Sequence, residues 1–242
     1  DQSSQRHESG MAWPADPLKP TTIGLDLYNG MPGVVSFFAN LYHAGGDARW
    51  RERAQQGGTY LVAESARRGA AVGGGLYTGL AGLATTYRTL EVTGVGPQWS
   101  GQARRAAKEL AAMAKTTPDG AEWSDSNDII SGTAGIGLFL VVAASAWKDN
   151  SLADLSVQAG RRLLKNAQAA EGGLMWFPSA SLPRNYPNFS HGTAGVAYFL
   201  ATLYQHSKDR AFLEGALAGA RYLDAVATKR DGARAIFHVS GG

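Results

Sequence analysis

Cysteine is absent from the 242-residue chain, which excludes a disulfide framework, a thiolate-held zinc or iron–sulfur centre and a cysteine nucleophile among these residues. An excess of one charge is missing too. The 23 Lys and Arg residues stand against 20 Asp and Glu for a net charge of +3, and the basic residues are scattered, so no nucleic-acid partner is inferred. Long apolar runs are also lacking: the uncharged stretch 129–147 is broken by Ser131, Gly132, Thr133, Gly135 and Gly137, short of the ~18–20 apolar residues that cross a bilayer. It reads as a buried helix, and no membrane span is expected.

The first residue is Asp1 rather than Met, so a processed or truncated chain is expected, with any signal peptide already removed. A cytoplasmic location is expected, an exported form being the alternative. Residues 1–22 are polar, carry Pro14, Pro17 and Pro20, and show no periodicity. They read as an extended leader lying on the surface or loose in solvent, ahead of a single domain over 23–242.

Glycine is what the chain has in excess. Its 31 glycines are about 13% of the residues against a typical ~7%, yet with 9 prolines the total stays under the ~25–30% of low-complexity sequence. With 44% apolar and 18% charged residues the chain is a packed globule, so the glycines belong at structured positions.

Those positions repeat. Four segments share two glycines three apart followed by an apolar stretch: YNGMPGVVSFFANLY from Tyr28, YTGLAGLATTYRTL from Tyr77, ISGTAGIGLFLVVAA from Ile130 and SHGTAGVAYFLATLY from Ser190. Their first glycines, Gly30, Gly79, Gly132 and Gly192, are 49, 53 and 60 residues apart, a helical-hairpin period. The stretches after the glycines are nearly uncharged, as in helices surrounded by protein. Between them lie one-sided helices over Ser100–Lys115, Ser151–Ala169 and Asp209–Ala225, the last with a stripe of Leu213, Leu217, Ala220 and Leu223, and a less clean one over Arg49–Arg68 that Gly57 and Gly58 interrupt.

Alternating buried and amphipathic helices predict an all-α fold, an α/α toroid in which a double ring of helical hairpins is incomplete. The glycine pairs are expected to open the inner helices, with free first-turn N–H groups facing the central opening. A second feature recurs before the later pairs: PDGAEWSDSND, EGGLMWFPSASLPRNYPNF and the terminal RDGARAIFHVSGG each place an acidic residue and glycine ahead of an aromatic, in a run suited to a hairpin. The last instance leads into no fifth helix. The expectation is therefore four hairpins and the start of a fifth, an arc whose exposed flanks make the isolated chain unstable or self-associating.

Of the five histidines, His191 alone immediately precedes a glycine pair, where a helix N-terminus disfavours the imidazolium. His43 and His206 read as residues near helix C-termini, His7 falls in the leader and His238 in the last linker. Asp128 lies four residues before Gly132 and is either a second acid/base group beside His191 or an ordinary cap or loop acceptor, like Asp125. Asp26 stands at the same offset before Gly30, so position alone does not choose. Trp123, Trp176, Phe177 and Tyr186 either line a peptide or sugar cleft or pack the linkers. Arg67, Arg68 and the Gly73–Gly75 run superficially suggest a phosphate cradle, but no P-loop Lys-Ser/Thr follows.

NDII with Asp128 before SGTAGIG, SHGTAG with His191, and the earlier YNGMPG and YTGLAG pairs resemble the LanC family of lanthionine synthetase cyclases and LanC-like proteins, from about Gly24 to the end. The resemblance implies a toroid of seven inner and seven outer helices, of which this chain looks like the first four repeats. It implies a Michael-type addition in which a Cys thiol of a precursor peptide attacks a dehydroamino acid, with Asp128 and His191 as the acid/base pair and Trp123, Trp176 and Tyr186 near substrate. It implies zinc in the complete family site, held by two cysteines and a histidine of later repeats, so no tight zinc binding is expected of these residues. The implied partners are the precursor peptide and a dehydratase. Two alternatives stay open: an inactive LanC-like scaffold that binds peptide or protein, and an α/α-barrel glycoside hydrolase or epimerase using Asp128 with Glu171 or Asp26.

Overall fold

The computed structural model describes residues 3–14, 16 and 18–237; His238 lies outside them. The chain divides into two compact units, Asp1–Ala112 and Met113–Gly242. The first contains α1 (Met31–Gly45), α2 (Ala48–Arg68), α3 (Leu80–Val92) and α4 (Gln98–Ala112), and the second α5 (Thr133–Trp147), α6 (Asn150–Asn166), α7 (Thr193–Ser207) and α8 (Arg210–Val226). Odd-numbered helices are the apolar ones that open with the glycine pairs. Each packs on the even-numbered helix that follows, and within a unit the two apolar helices pack on each other.

The link between paired helices is set by two residues. Gly46, Lys148 and Lys208 close α1, α5 and α7 in the left-handed conformation, and the next residue, Asp47, Asp149 or Asp209, caps the following helix by accepting from the backbone N–H two residues on. A left-handed residue ends one helix and an Asp side chain satisfies the first donors of the next, which turns the chain back in minimal length.

In α2 the helix runs through Gly57 and Gly58 without a break, because packing there needs the missing Cβ. A methyl on Gly57 would meet Val35 Cγ2 at 2.6 Å, and one on Gly58 would meet Trp99 Cη2 at 2.5 Å. Tertiary contacts override the ~1 kcal/mol helix penalty of each glycine. In α8 the buried stripe is Phe212, Gly215, Ala216, Gly219 and Tyr222, one position away from the leucine stripe expected, and Leu217 is exposed. Small residues win that face because the helix sits close to its neighbours: a methyl on Gly215 would meet Leu164 Cδ2 at 2.5 Å and one on Gly219 would meet Ala197 Cβ at 2.9 Å.

Short antiparallel hairpins precede three of the apolar helices. They are β1 (Gln5–His7) with β2 (Gly10–Ala12) before α1, β3 (Lys115–Thr117) with β4 (Gly120–Glu122) before α5, and β5 (Gln168–Ala170) with β6 (Gly173–Met175) before α7; β7 (Thr228–Arg230) pairs with β8 (Ala233–Ala235). β2, β4 and β6 pack on α2, α6 and α8. A Cβ on Gly10, Gly120 or Gly173 would land on the carbonyl oxygen of Gln56, Gln158 or Ala218 in those helices, so glycine is required where strand meets helix backbone.

This corrects the expected leader. Residues 5–12 form the first of the hairpins, and Met11, Ala12 and Trp13 are buried. The physical reason is the same glycine-and-tryptophan register: Trp13, Trp123 and Trp176 each stand three residues after the packed glycine. On the apolar helices, Phe37 of α1 and Tyr198 of α7 remain exposed, the latter in a T-shaped contact with exposed Phe189.

Candidate functional site

All four apolar helices begin in the same way. The backbone carbonyl six residues before the first glycine accepts from the N–H just after it: Gly24 O from Met31, Gly73 O from Leu80, Ser126 O from Thr133 and Tyr186 O from Thr193, at 2.9–3.0 Å. The preceding loop thus folds back over the helix end, and a Cβ on Gly192 would fall on the Tyr186 carbonyl. First-turn N–H groups expected to be free are therefore already satisfied. Gly73 and Gly74 turn their carbonyls, not their amides, toward α3, the wrong polarity for a phosphate cradle.

Inside these loops an Asx turn recurs four residues before the glycine. Asp26 Oδ1 accepts from Asn29 N at 2.8 Å, Asp128 Oδ1 from Ser131 N at 2.8 Å and Asn188 Oδ1 from His191 N at 2.9 Å. Asp128 Oδ1 also accepts from Gly132 N at 2.9 Å. The capping role is thus shared by three of the four repeats, the second having Gly75 at that position.

The second oxygen of Asp128 does something else. Asp128 Oδ2 lies 2.8 Å from His191 Nδ1, with the aspartate side chain 5% exposed and the imidazole 43% exposed. Ile129 N donates to Ser190 O at 3.2 Å, so backbone and side chains together align the two loops. The carboxylate holds Nδ1, and Nε2 has no partner among the described residues, which leaves one ring nitrogen presented outward to exchange a proton. Cap and histidine contact are therefore made by two oxygens of one residue, and the capping role leaves the second oxygen for the imidazole.

Of the two readings of the tryptophans, the burial of their side chains fits packing of the linkers. Trp176 is fully buried, its indole N–H donating to Leu163 O at 2.6 Å and its backbone N–H to Thr193 Oγ1 at 3.2 Å. Trp123 is 9% exposed. Trp13 fills the same register in a repeat without the Asp–His pair, and the Trp176 indole fastens its hairpin to α6. Tyr186 does lie at the pair, its ring T-shaped to His191 at 6.2 Å between centroids. Glu171 sits exposed in the β5–β6 turn, and both Asp128 oxygens are occupied. His43 and His206 lie in the last turns of α1 and α7, as expected. Asn188 and Ser131 were missed, although the recurring offset of four before the first glycine marks Asn188.

Apolar helices entered through carbonyl-capped glycine turns and backed by Asp-capped amphipathic helices define an all-α protein of the α/α toroid class. The family model described as lanthionine synthetase C-like protein matches residues 21–233, and the chain belongs to that family. Among solved structures it is similar to nisin cyclase, with a TM-score of 0.66 at 19% identity over 86% of this chain and 54% of that one. It is also similar to D-mannose isomerase, with a TM-score of 0.60 at 12% identity over 86% of this chain and 62% of that one. The chain spans about half the length of nisin cyclase. No curated protein sequence matches it. No helix among the described residues is long and apolar enough to cross a membrane.

Proposed function

We propose that Asp128 and His191 are the proton-handling pair of a lanthionine synthetase-type site acting on a precursor peptide. The observation that carries this reading is the buried Asp128 oxygen 2.8 Å from Nδ1 of a half-exposed His191, in a member of the lanthionine synthetase C-like family. In the reaction, Nε2 takes the thiol proton of a peptide Cys as its sulfur bonds to the β-carbon of a dehydroalanine or dehydrobutyrine. The π electrons shift to form an enolate, and the imidazolium returns a proton to the α-carbon. Atoms and electrons balance, with no oxidant or reductant. Asp128 fixes the ring and offsets its charge while the proton is held.

Zinc, implied by the family, does not fit the residues present. The chain has no cysteine, and no group of three or more His, Asp or Glu among the described residues is arranged to hold a metal. No step above runs through a metal. The dehydratase that would supply such a peptide remains part of this proposal.

The addition leaves mass unchanged, so the test follows thiols. The chain is incubated with a dehydrated, Cys-containing peptide, and unreacted thiol is trapped with N-ethylmaleimide. Thiol loss above the spontaneous rate that falls about 10²–10⁴-fold in His191→Ala supports the reading. Peptide binding with thiol loss at the spontaneous rate would replace it with the scaffold alternative. Turnover of a free sugar, with the peptide ignored, would replace it with the sugar-active alternative.

A further inference from the structure

The loop that carries Asp128 and the loop that carries His191 meet at two levels. At the functional end are the Asp128–His191 contact and the Ile129–Ser190 backbone bond. At the far end Ser181 Oγ donates to Asp125 Oδ2 at 2.7 Å and Ser126 bridges Ser179, and among the described residues Asn127 alone also ties both loops to α6. Asn127 is 6% exposed; its backbone N–H donates to Pro178 O at 2.7 Å and its Nδ2 to Phe177 O at 3.0 Å, while its Oδ1 accepts from Asn166 Nδ2 at 2.8 Å. A carbonyl oxygen only accepts, so the amide faces Phe177 with its NH₂ group and α6 with its oxygen. One buried amide thereby joins the end of α6, the Asp128 loop and the His191 loop.

The fold itself does not demand an amide there. Five residues before the first glycine, the register of Asn127, the first repeat has Leu25, buried at 6% exposure. The other two repeats have Gly74 and Pro187. A buried leucine fills this place without directional bonds, whereas an asparagine fixes the relative position of what it bonds. Asparagine occurs at this register only in the repeat whose Asp meets a histidine.

We infer that Asn127 is a positioning residue, which sets the Asp128–His191 geometry by holding the Phe177–Pro178 end of the His191 loop against α6. The inference rests on the reading of Asp128 and His191 as a functional pair. It predicts that Asn127→Leu keeps the fold while the imidazole loses its fixed partner.

The experiment is imidazole NMR of the whole chain, which needs no substrate. In the native chain the His191 Nδ1–H should be resolved and slow to exchange, and Asp128→Asn identifies it by changing it. In Asn127→Leu, with circular dichroism unchanged, its exchange should quicken at least about tenfold, the equivalent of ~1.4 kcal/mol in the opening equilibrium. Asn127→Asp, which faces the Phe177 carbonyl with a carboxylate, should do the same. If Asn127→Leu does not fold, Asn166→Ala, which removes one bond and leaves the two to the His191 loop, serves with the same readout and a smaller change in the same direction. An unchanged Nδ1–H signal in a folded variant would overturn the inference and leave the pair intact. Absence of that signal in the native chain would overturn both. A failure of thiol consumption with the NMR result as expected would count against the proposed reaction alone.

Discussion

Asp128 Oδ1 caps its own loop while Oδ2 holds His191 Nδ1 at 2.8 Å, across 63 residues of sequence. The two oxygens can be separated by mutation. Asp128→Asn retains an oxygen for the Ser131 and Gly132 amides but turns an NH₂ group toward His191, so stability should stay near native while thiol addition falls about 10²–10⁴-fold. Asp128→Ala loses both functions and should also cost about 1 kcal/mol in denaturant melts. Equal stability losses in the two variants would count against this division.

Lys148 and Lys208 hold φ of 53° and 60°, where the first repeat has Gly46 at φ 71°. A left-handed residue with a Cβ costs ~1–2 kcal/mol, part of which is returned by the greater freedom of glycine in the unfolded chain. Lys148→Gly and Lys208→Gly should each raise stability by about 0.5–1 kcal/mol in urea titrations. The helix ends should be unchanged by circular dichroism.

Glu64 forks between Arg67 and Arg68 at the end of α2, and Arg68 reaches on to Ile23 O at 3.0 Å. The Arg67 hydrogen bond first, and Arg68 after it, pull the Glu64 carboxyl from 4.5 down to about 2. Because the folded value is the lower one, this stabilisation is present above pH 4.5 and is lost as pH falls toward 2. Glu64→Gln should melt lower than the native chain at pH 7, and the difference should shrink to nothing near pH 2. A constant difference across that range would assign the effect to packing.

Trp176→Phe should leave peptide affinity unchanged and destabilise the chain by about 1–3 kcal/mol, since the Leu163 carbonyl loses its buried donor. Tyr186→Ala should do the reverse, because its ring contacts the imidazole. Isothermal calorimetry with a precursor peptide and thermal melts of both variants decide between them. A weakened peptide affinity in Trp176→Phe would restore its expected place in a cleft.

The helical hairpins and their partners were legible because glycine pairs and uncharged stretches reflect local demands that a sequence displays directly. The hairpins before α5 and α7 were legible for the same reason. The one before α1 was not, although ESGMAW carries the glycine-to-tryptophan spacing of PDGAEW and EGGLMW, because the three prolines that follow its strands signal extended chain. The buried stripe of α8 was misplaced by its leucines: close packing selected Gly215, Ala216 and Gly219, and hydrophobicity alone does not report how near two backbones come.

The sequence by itself determined the period, the apolar helices, the glycines at their starts and the residue types at positions 128 and 191. Those follow from backbone sterics and burial, which act within a few residues. Only the tertiary structure decided that the Asn127 amide meets the Phe177 carbonyl and that the second oxygen of Asp128 meets His191. Those outcomes depend on which loop lies against which, and that is set by packing between elements some 50 to 60 residues apart.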